Sequence, residues 1–370
     1  MTSPFSRGAK NLVTTTGGAA LSRSAEKLHK RLGHIVTAEL LETQRLLSAA
    51  EIYNSTLASW AISAAWELGA LDELNEHGKL DAVEFATRKN LDPASTVGMF
   101  AALASVKAVH RDDTLVWVGP NFEEVEKYRS LFHWLARGCS GLFTEMPSVL
   151  RNENRHGEDF YQRDAGAISF ACREINGRFW DPTFWQVMNG IDFRFTHVAD
   201  LGSGSAARLI QILQRFPGTT GLGIDIAQGA LDFAAGAVAE AGLSDRISFA
   251  LDDARNLSAK PEYEKVELLT CFMMGHDFWP RADAIRNLRN LRALFPNVRK
   301  FLLGDATRTV GIDDADKPVF TLGFEVGHDM MATYMPTIDE WLGVFGEAGW
   351  HLDKMHRMEV PAASVIFELS

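Results

Sequence analysis

The sequence predicts an α/β fold: a doubly wound parallel sheet in the C-terminal half, preceded by a mostly helical domain. Three observations predict it. From about residue 197 onward, short apolar runs alternate with amphipathic ones, the pattern of repeated β-α units with helices on both faces of a sheet. The first of these runs ends in Asp200 and opens into a glycine-bearing loop, HVADLGSGSAARL over 197–209. Residues 80–119 read instead as helix, turn, helix and short hairpin.

The elements follow in chain order. Residues 1–25 are rich in Ser, Thr and Gly and are expected to be a disordered head. From about 35 to 75 apolar residues recur at helical spacing, as in Leu40, Leu41, Leu46, Leu47, Ile52, Leu57, Trp60 and Ala61. In 80–119 the turn falls at Asp92-Pro93 and the hairpin bends at Asp112-Asp113, with Leu115 and Trp117 alternating behind it; that order is a winged-helix pattern. A helical segment with two aromatic patches covers 122–180. Strands are then expected near 197–202, 220–226, 246–251, 266–273, 299–306 and 355–369, and helices near 206–215, 228–241, 282–295 and 337–348.

Length and composition bound the function. A chain of 370 residues suits two domains and can bury a large core. It is 46% hydrophobic and 23% charged, ordinary for a globular protein. A formal net charge of -11 argues against nucleic acid as the main partner. Cys139, Cys172 and Cys271 are widely spaced and odd in number, which suits a reducing, cytoplasmic setting and offers no disulfide framework. No apolar run reaches the roughly 18 residues of a membrane span, and the first 25 residues lack the apolar core of a secretory signal.

The glycine turn carries the first chemical reading. Gly202 and Gly204 let the backbone pass under a ligand, and the following helix offers N-terminal amides to a polar group. Asp225 closes the second strand, where it can accept from two ribose hydroxyls. Asp252 or Asp253 follows the third strand, within SFALDDARNL, and can accept from an adenine amino group. With Asp200, these residues form a candidate site for an adenosine-bearing cofactor. The glycine pattern is not the full G-x-G-x-x-G, since Ala207 takes the third place.

VADLGSG resembles the first motif of the class I S-adenosylmethionine-dependent methyltransferases, GLGIDI resembles their second, and SFALDDA their adenine-strand motif. In that family the aligned carboxylate is the second of the pair, Asp253. CFMMGHDFWPRADAIRNLRNL, 271–291, looks like the segment of plant-type small-molecule O-methyltransferases in which His-Asp-Trp precedes a helix. MPTIDEWLGVFGEAGW, 335–350, looks like their near-C-terminal helix. The resemblance covers nearly all of the chain after residue 35. It implies a Rossmann-like methyltransferase domain over 181–370, a winged-helix-like dimerisation and substrate-lining domain over 26–180, S-adenosylmethionine as cofactor, and a homodimer. The family's first motif has three consecutive glycines where this chain has Ser203 between Gly202 and Gly204, which a negative φ at Ser203 would accommodate.

In the O-methyltransferases that resemble this chain, the histidine matching His276 is a general base that takes a proton from a substrate hydroxyl. This sequence adds Asp277 beside it and His328 within FEVGHDMMATYMP. Two imidazoles and a carboxylate have the composition of a facial metal triad with open positions. The set resembles the bacterial α-keto acid C-methyltransferases of nonribosomal-peptide pathways. There His276, Asp277 and His328 would be the ligands to iron or zinc, and a Lewis-acidic ion would stabilise the enolate whose β-carbon takes the methyl group. Asp277 could instead orient His276, and His328 beside Asp329 could be a polar cap at a helix start. A metal-dependent oxygenase is disfavoured, because its motif usually separates the first histidine and the acid by one residue.

Other candidates are fewer. Arg173, in AISFACREINGRFW, is expected to pair with a substrate carboxylate, with Arg163 as its rival. Met273, Met274, Phe272, Phe278, Trp279, Phe324 and Met331 are candidates for the apolar end of a substrate pocket. A DNA-binding regulator is disfavoured: residues 80–119 hold four Lys or Arg against five acids, and VGMFAALASVKAV is nearly all apolar where a recognition helix would be basic. That helix is expected to be buried in a partner subunit.

Overall fold

The computed structural model describes residues 46–157, 159–358 and 363–370. The expected disordered head and the periodic residues Leu40 and Leu41 lie outside them. The chain divides into two units, Met1–Asn54 and Ser55–Ser370. The described part of the first is 46–54, in which helix begins at Ala49.

The second unit opens with the remainder of helix α1 (Ala49–Glu67), then α2 (Ala70–His77), β1 (Lys79–Asp81), α3 (Ala82–Arg88), α4 (Pro93–Ser105), β2 (Val109–Asp112) and β3 (Leu115–Val118). The helix, turn, helix, hairpin order is the one expected from the residues. Asp81 caps α3 by accepting from Val83 N and Glu84 N, and Asp92 caps α4 with Pro93 at its first turn. The strands form a small antiparallel sheet in the order β1-β3-β2. One expectation changes: Phe100, Ala102 and Leu103 bury α4 in the chain's own core, alongside Leu71, Phe85 and Val116, so its apolar character serves this domain's packing.

Helices α5 (Phe122–His133), α6 (Ala165–Ile175) and α7 (Asp181–Asn189) lead to the large sheet. Its elements alternate: β4 (His197–Leu201), α8 (Ala207–Arg215), β5 (Thr220–Asp225), α9 (Gln228–Glu240), β6 (Ile247–Leu251), β7 (Leu268–Phe272), α10 (Arg281–Leu294) and β8 (Lys300–Ala306). The five strands of this group are parallel neighbours in the order β6-β5-β4-β7-β8. The inner strands β4, β7 and β8 are covered on both faces, which is why they read as nearly unbroken apolar runs, while β6 at the edge is partly exposed. Val198, Leu268 and Leu302 pack on one side with α7 and α8, while Ala199, Leu269, Cys271 and Leu303 pack on the other with α10.

Two expectations are corrected here. The single strand read over 355–369 is a hairpin of β9 (Leu352–Met358) and β10 (Ser364–Leu369), antiparallel to each other and to β8. Between β8 and β9 lies a helix absent from the sequence reading, α11 (Thr321–Met330), before the expected α12 (Ile338–Phe345). Its residues TLGFEVGHDM hold two glycines, which weaken the helical signal. Burial of Phe324, Glu325 and His328 along one face pins the segment as helix despite them.

The strand order runs outward in both directions from β4 and β7. Open parallel sheets form a crevice outside the strand ends at such a switch point.

Candidate active site

The loop after β4 is shaped by its glycines. Gly202 (φ 66°) and Gly204 (φ 50°) take left-handed conformations, and Ser203 between them does not. A Cβ on Gly202 would come within 3.2 Å of the Met274 side chain. Ser203 fits because the neighbouring strand makes room: its Oγ lies 2.7 Å from where a Cβ on Gly223 would stand. The loop is tied to β5 by Gly202 N and Ser203 N, both donating to Ile224 O. Asp225 accepts from Gly204 N (2.8 Å) and Ala227 N (2.9 Å), so it braces the loop from the end of β5.

Two cavities meet at this loop, and Gly202 and Phe272 line both. The first, of about 630 Å³, is reached by Asp225, Asp252, Asp253 and Asp277. Arg255 donates to both oxygens of Asp253, and burial raises that carboxyl's pKa less than this pairing lowers it. Asp252 accepts from Lys260 Nζ at 2.8 Å. The second cavity, of about 210 Å³, is reached by Asp200, Gly204, Arg173, Asp181 and Arg208. Asp200 accepts from Thr270 Oγ1 at 2.6 Å. Burial pushes its pKa from 3.8 to about 6, against the nearby positive charge of Arg208 and the Thr270 bond.

The histidines come together on the far side of β7. His276 and His328 stand edge to face, with ring centroids 4.9 Å apart. His276 Nδ1 lies 2.8 Å from Asp305 Oδ1, at the end of β8, and His328 Nδ1 lies 2.7 Å from Phe324 O. Burial lowers the pKa of His276, but the Asp305 carboxylate, with Asp277, outweighs it and lifts the value to about 9. Burial and the neighbouring His276 push His328 down to about 3. Asp277 is exposed to the first cavity, and desolvation followed by the Asp305 charge raises its carboxyl pKa.

Several readings change. Asp305, not Asp277, orients His276. His328 belongs to the last turn of α11, not to a helix start, so it is no N-cap. Arg173 lines the cavity of the glycine loop, whereas the charge of Arg163 reaches His276, Asp277 and His328, joined by Arg255 at Asp277 and Arg308 at His328. Phe272, Met273, Met274 and Met331 line the first cavity as expected, while Phe278 and Trp279 are packed into the core beneath it. Among the described residues no group of three His, Cys, Asp or Glu side chains stands ready-assembled around a metal position.

Asp305 and Arg208 were missed by sequence reading. Asp305 had a signal, since GDA closes a strand as Asp200 and Asp225 do. Gly275 lets it approach, because a Cβ there would lie 2.9 Å from Asp305 Oδ2. Arg208 looked like one more residue of an amphipathic helix.

Residues 198–295, which hold the glycine loop and all its acids, match the model of a methyltransferase domain family. Methyltransferase ungE' of Aspergillus campestris is 48% identical over 328 residues, spanning 86% of this chain and 96% of that protein. The chain belongs to the methyltransferase family. S-adenosylmethionine is this methyltransferase's methyl donor, and the matched segment holds the glycine loop and the carboxylates of the first cavity. Among solved structures, the methyltransferase is similar in fold to PigF with SAH (TM-score 0.61, 19% identity, 87% of this chain and 99% of that one). It is also similar to LaPhzM (TM-score 0.59, 17% identity, 90% and 98%). The mitomycin 7-O-methyltransferase MmcR gives TM-score 0.56 at 15% identity, covering 91% and 99%. Among the described residues no helix is long and apolar enough to cross a membrane.

Proposed function

We propose that the enzyme methylates the β-carbon of an α-keto acid, with an iron or zinc ion held by His276, Asp277 and His328. The product would supply a nonproteinogenic amino acid for a peptide natural product. One observation carries this reading: two imidazoles in contact, each with Nδ1 engaged by an oxygen acceptor and Nε2 left without a hydrogen bond among the described residues. An anchored Nδ1 with a free Nε2 is how ligating histidines are held. A hydroxyl-methylating site needs one histidine as base and gives the second no task. Asp277, adjacent to His276 and open to the cavity, is the carboxylate that completes the donor types of a two-histidine, one-carboxylate site.

Bound there, the ion would supply Lewis acidity to the keto oxygen and so acidify the neighbouring C–H. The chain's own residues supply the rest. Asp305 fixes the tilt and tautomer of His276. Phe272, Met273 and Met274 give the cavity between the glycine loop and Asp277 a wall with little affinity for water. Arg163, over the ring of Tyr161 in the first cavity's wall, would supply positive charge to a keto acid carboxylate. In the transfer a proton would pass from the β-carbon to water in the cavity, that carbon would take the methyl group with the C–H electron pair, and the broken C–S pair would stay on sulfur. A homodimer is part of the same proposal: Leu57 and Trp60 of α1 and Leu322 of α11 are exposed apolar residues, and light scattering that gave a monomer would remove it.

The experiment is metal analysis of the purified enzyme, then methyl transfer to a panel of α-keto acids before and after chelation. Bound iron or zinc, loss of activity on chelation and a new C–CH₃ signal in the product are expected. Unchanged transfer by metal-free enzyme, or a product methylated on oxygen, would favour an O-methyltransferase with His276 as general base.

A further inference from the structure

Arg208 is the second residue of α8, yet its side chain points inward and is 8% exposed. It lies between two aromatic rings, 3.7 Å from the centroid of Phe272 and 4.4 Å from that of Phe184. Its nearest carboxylate is Asp181 Oδ1 at 3.7 Å, beyond a hydrogen bond, and Nη1 is buried with no hydrogen-bond partner. Asp181 is already engaged by Gln211 Nε2 at 2.9 Å. A guanidinium buried in this way is costly unless something satisfies it. It borders the second cavity beside Asp200 and the glycine loop.

We propose that Arg208 holds the α-carboxylate of S-adenosylmethionine in that cavity. Gly202 and Phe272 line both cavities, so one ligand can run past them from the first into the second. Asp225 in the first cavity suits the ribose, and the Asp252-Asp253 pair there suits the adenine. The second cavity then receives the amino-acid end, which carries one ammonium and one carboxylate. Asp200 offers an acceptor to the ammonium, and Arg208 offers paired donors to the carboxylate. Phe272 and Phe184, set at 88° to each other, confine the guanidinium from two sides, so little side-chain entropy remains to be lost on binding.

The test compares two ligands that differ only at this end, S-adenosylhomocysteine and 5′-methylthioadenosine, by calorimetric titration into wild type, Arg208→Met and Arg208→Lys. Arg208→Met, which keeps the packing volume, is expected to weaken S-adenosylhomocysteine by about 30-fold. It should leave methylthioadenosine within about twofold. Arg208→Lys keeps the charge without the fork and should fall between. Equal loss for both ligands, or no loss for either, would overturn the proposal. Should Arg208→Met fail to fold, decarboxylated S-adenosylmethionine bound to wild type as tightly as the intact cofactor would overturn it equally. A wild type that binds neither nucleoside removes the cofactor assignment itself, and this inference with it.

Discussion

His276 Nδ1 and Asp305 Oδ1 lie 2.8 Å apart, although 29 residues separate them. Asp305 is wholly buried and also accepts from Ala306 N. Held there, the carboxylate sets which ring nitrogen of His276 is left without a hydrogen bond. Asp305→Asn should cut activity about 10–100-fold, the usual cost of removing a partner that orients a ligand. Circular dichroism should show an unchanged fold. Activity within twofold of wild type would mean that His276 is positioned by something else.

His328 meets His276 edge to face from the last turn of α11. His328→Ala should abolish stoichiometric metal binding and lower methyl transfer by at least about 100-fold, while S-adenosylhomocysteine still binds. Metal analysis alongside kinetics checks this. Full activity in the variant would leave His328 as packing for Phe324.

The charge of Arg163 reaches both histidines, and that of Arg308 reaches His328. Arg163→Gln should raise KM for the keto acid about tenfold with little change in kcat, since a carboxylate contact is present in both ground and transition states. The matching change at Arg173 should leave the keto acid KM alone. A reversed result would return the substrate role to Arg173.

Asp200 gives a pH dependence with a definite sign. Its pKa rises from 3.8 to about 6 on folding, so the stabilising form is the neutral one. That contribution is complete below 3.8 and is lost as pH rises through 6, at a cost of about 3 kcal/mol for the full shift. Asp200→Asn should therefore raise the stability of the cofactor-free enzyme at pH 7.5 by about 2 kcal/mol and change it little below pH 4. Urea unfolding across that range measures it. A constant difference at all pH values would show that the carboxyl does not titrate there.

Ser203 and Gly223 are coupled. Gly223→Ala brings a Cβ to 2.7 Å from both Ser203 Oγ and Phe249 Cδ1, so overpacking should cost about 1–3 kcal/mol. Adding Ser203→Gly should recover part of it, because one of the two clashes disappears. A double-mutant cycle with no coupling would separate the two sites.

The sheet was legible in the sequence because a parallel strand buried on both faces must be apolar along its length. The expected strands at 197–202, 220–226 and 299–306 correspond to His197–Leu201, Thr220–Asp225 and Lys300–Ala306. The hairpin of β9 and β10 reads as one strand because the apolar signal sits in β10, β9 being the mixed LDKMHRM, and no strong turn dipeptide divides them. Helix α11 escaped because Gly323 and Gly327 blur its period, and only packing against Trp134 and Phe143 supports it.

The sequence by itself determined the ingredients: a glycine turn with acids at successive strand ends, two histidines, and arginines of unassigned purpose. Local spacing carries such motifs, since turn, strand and acid lie within a few residues of one another. Only the tertiary structure decided the pairings. Asp305 reaches His276 because β8 lies beside β7. His328 reaches it because α11 folds back over the sheet edge. Arg208 turns inward because Phe184 and Phe272 hold it there. Charge and hydrogen bonding act over a few ångströms, and for residues tens of positions apart that distance is set by packing.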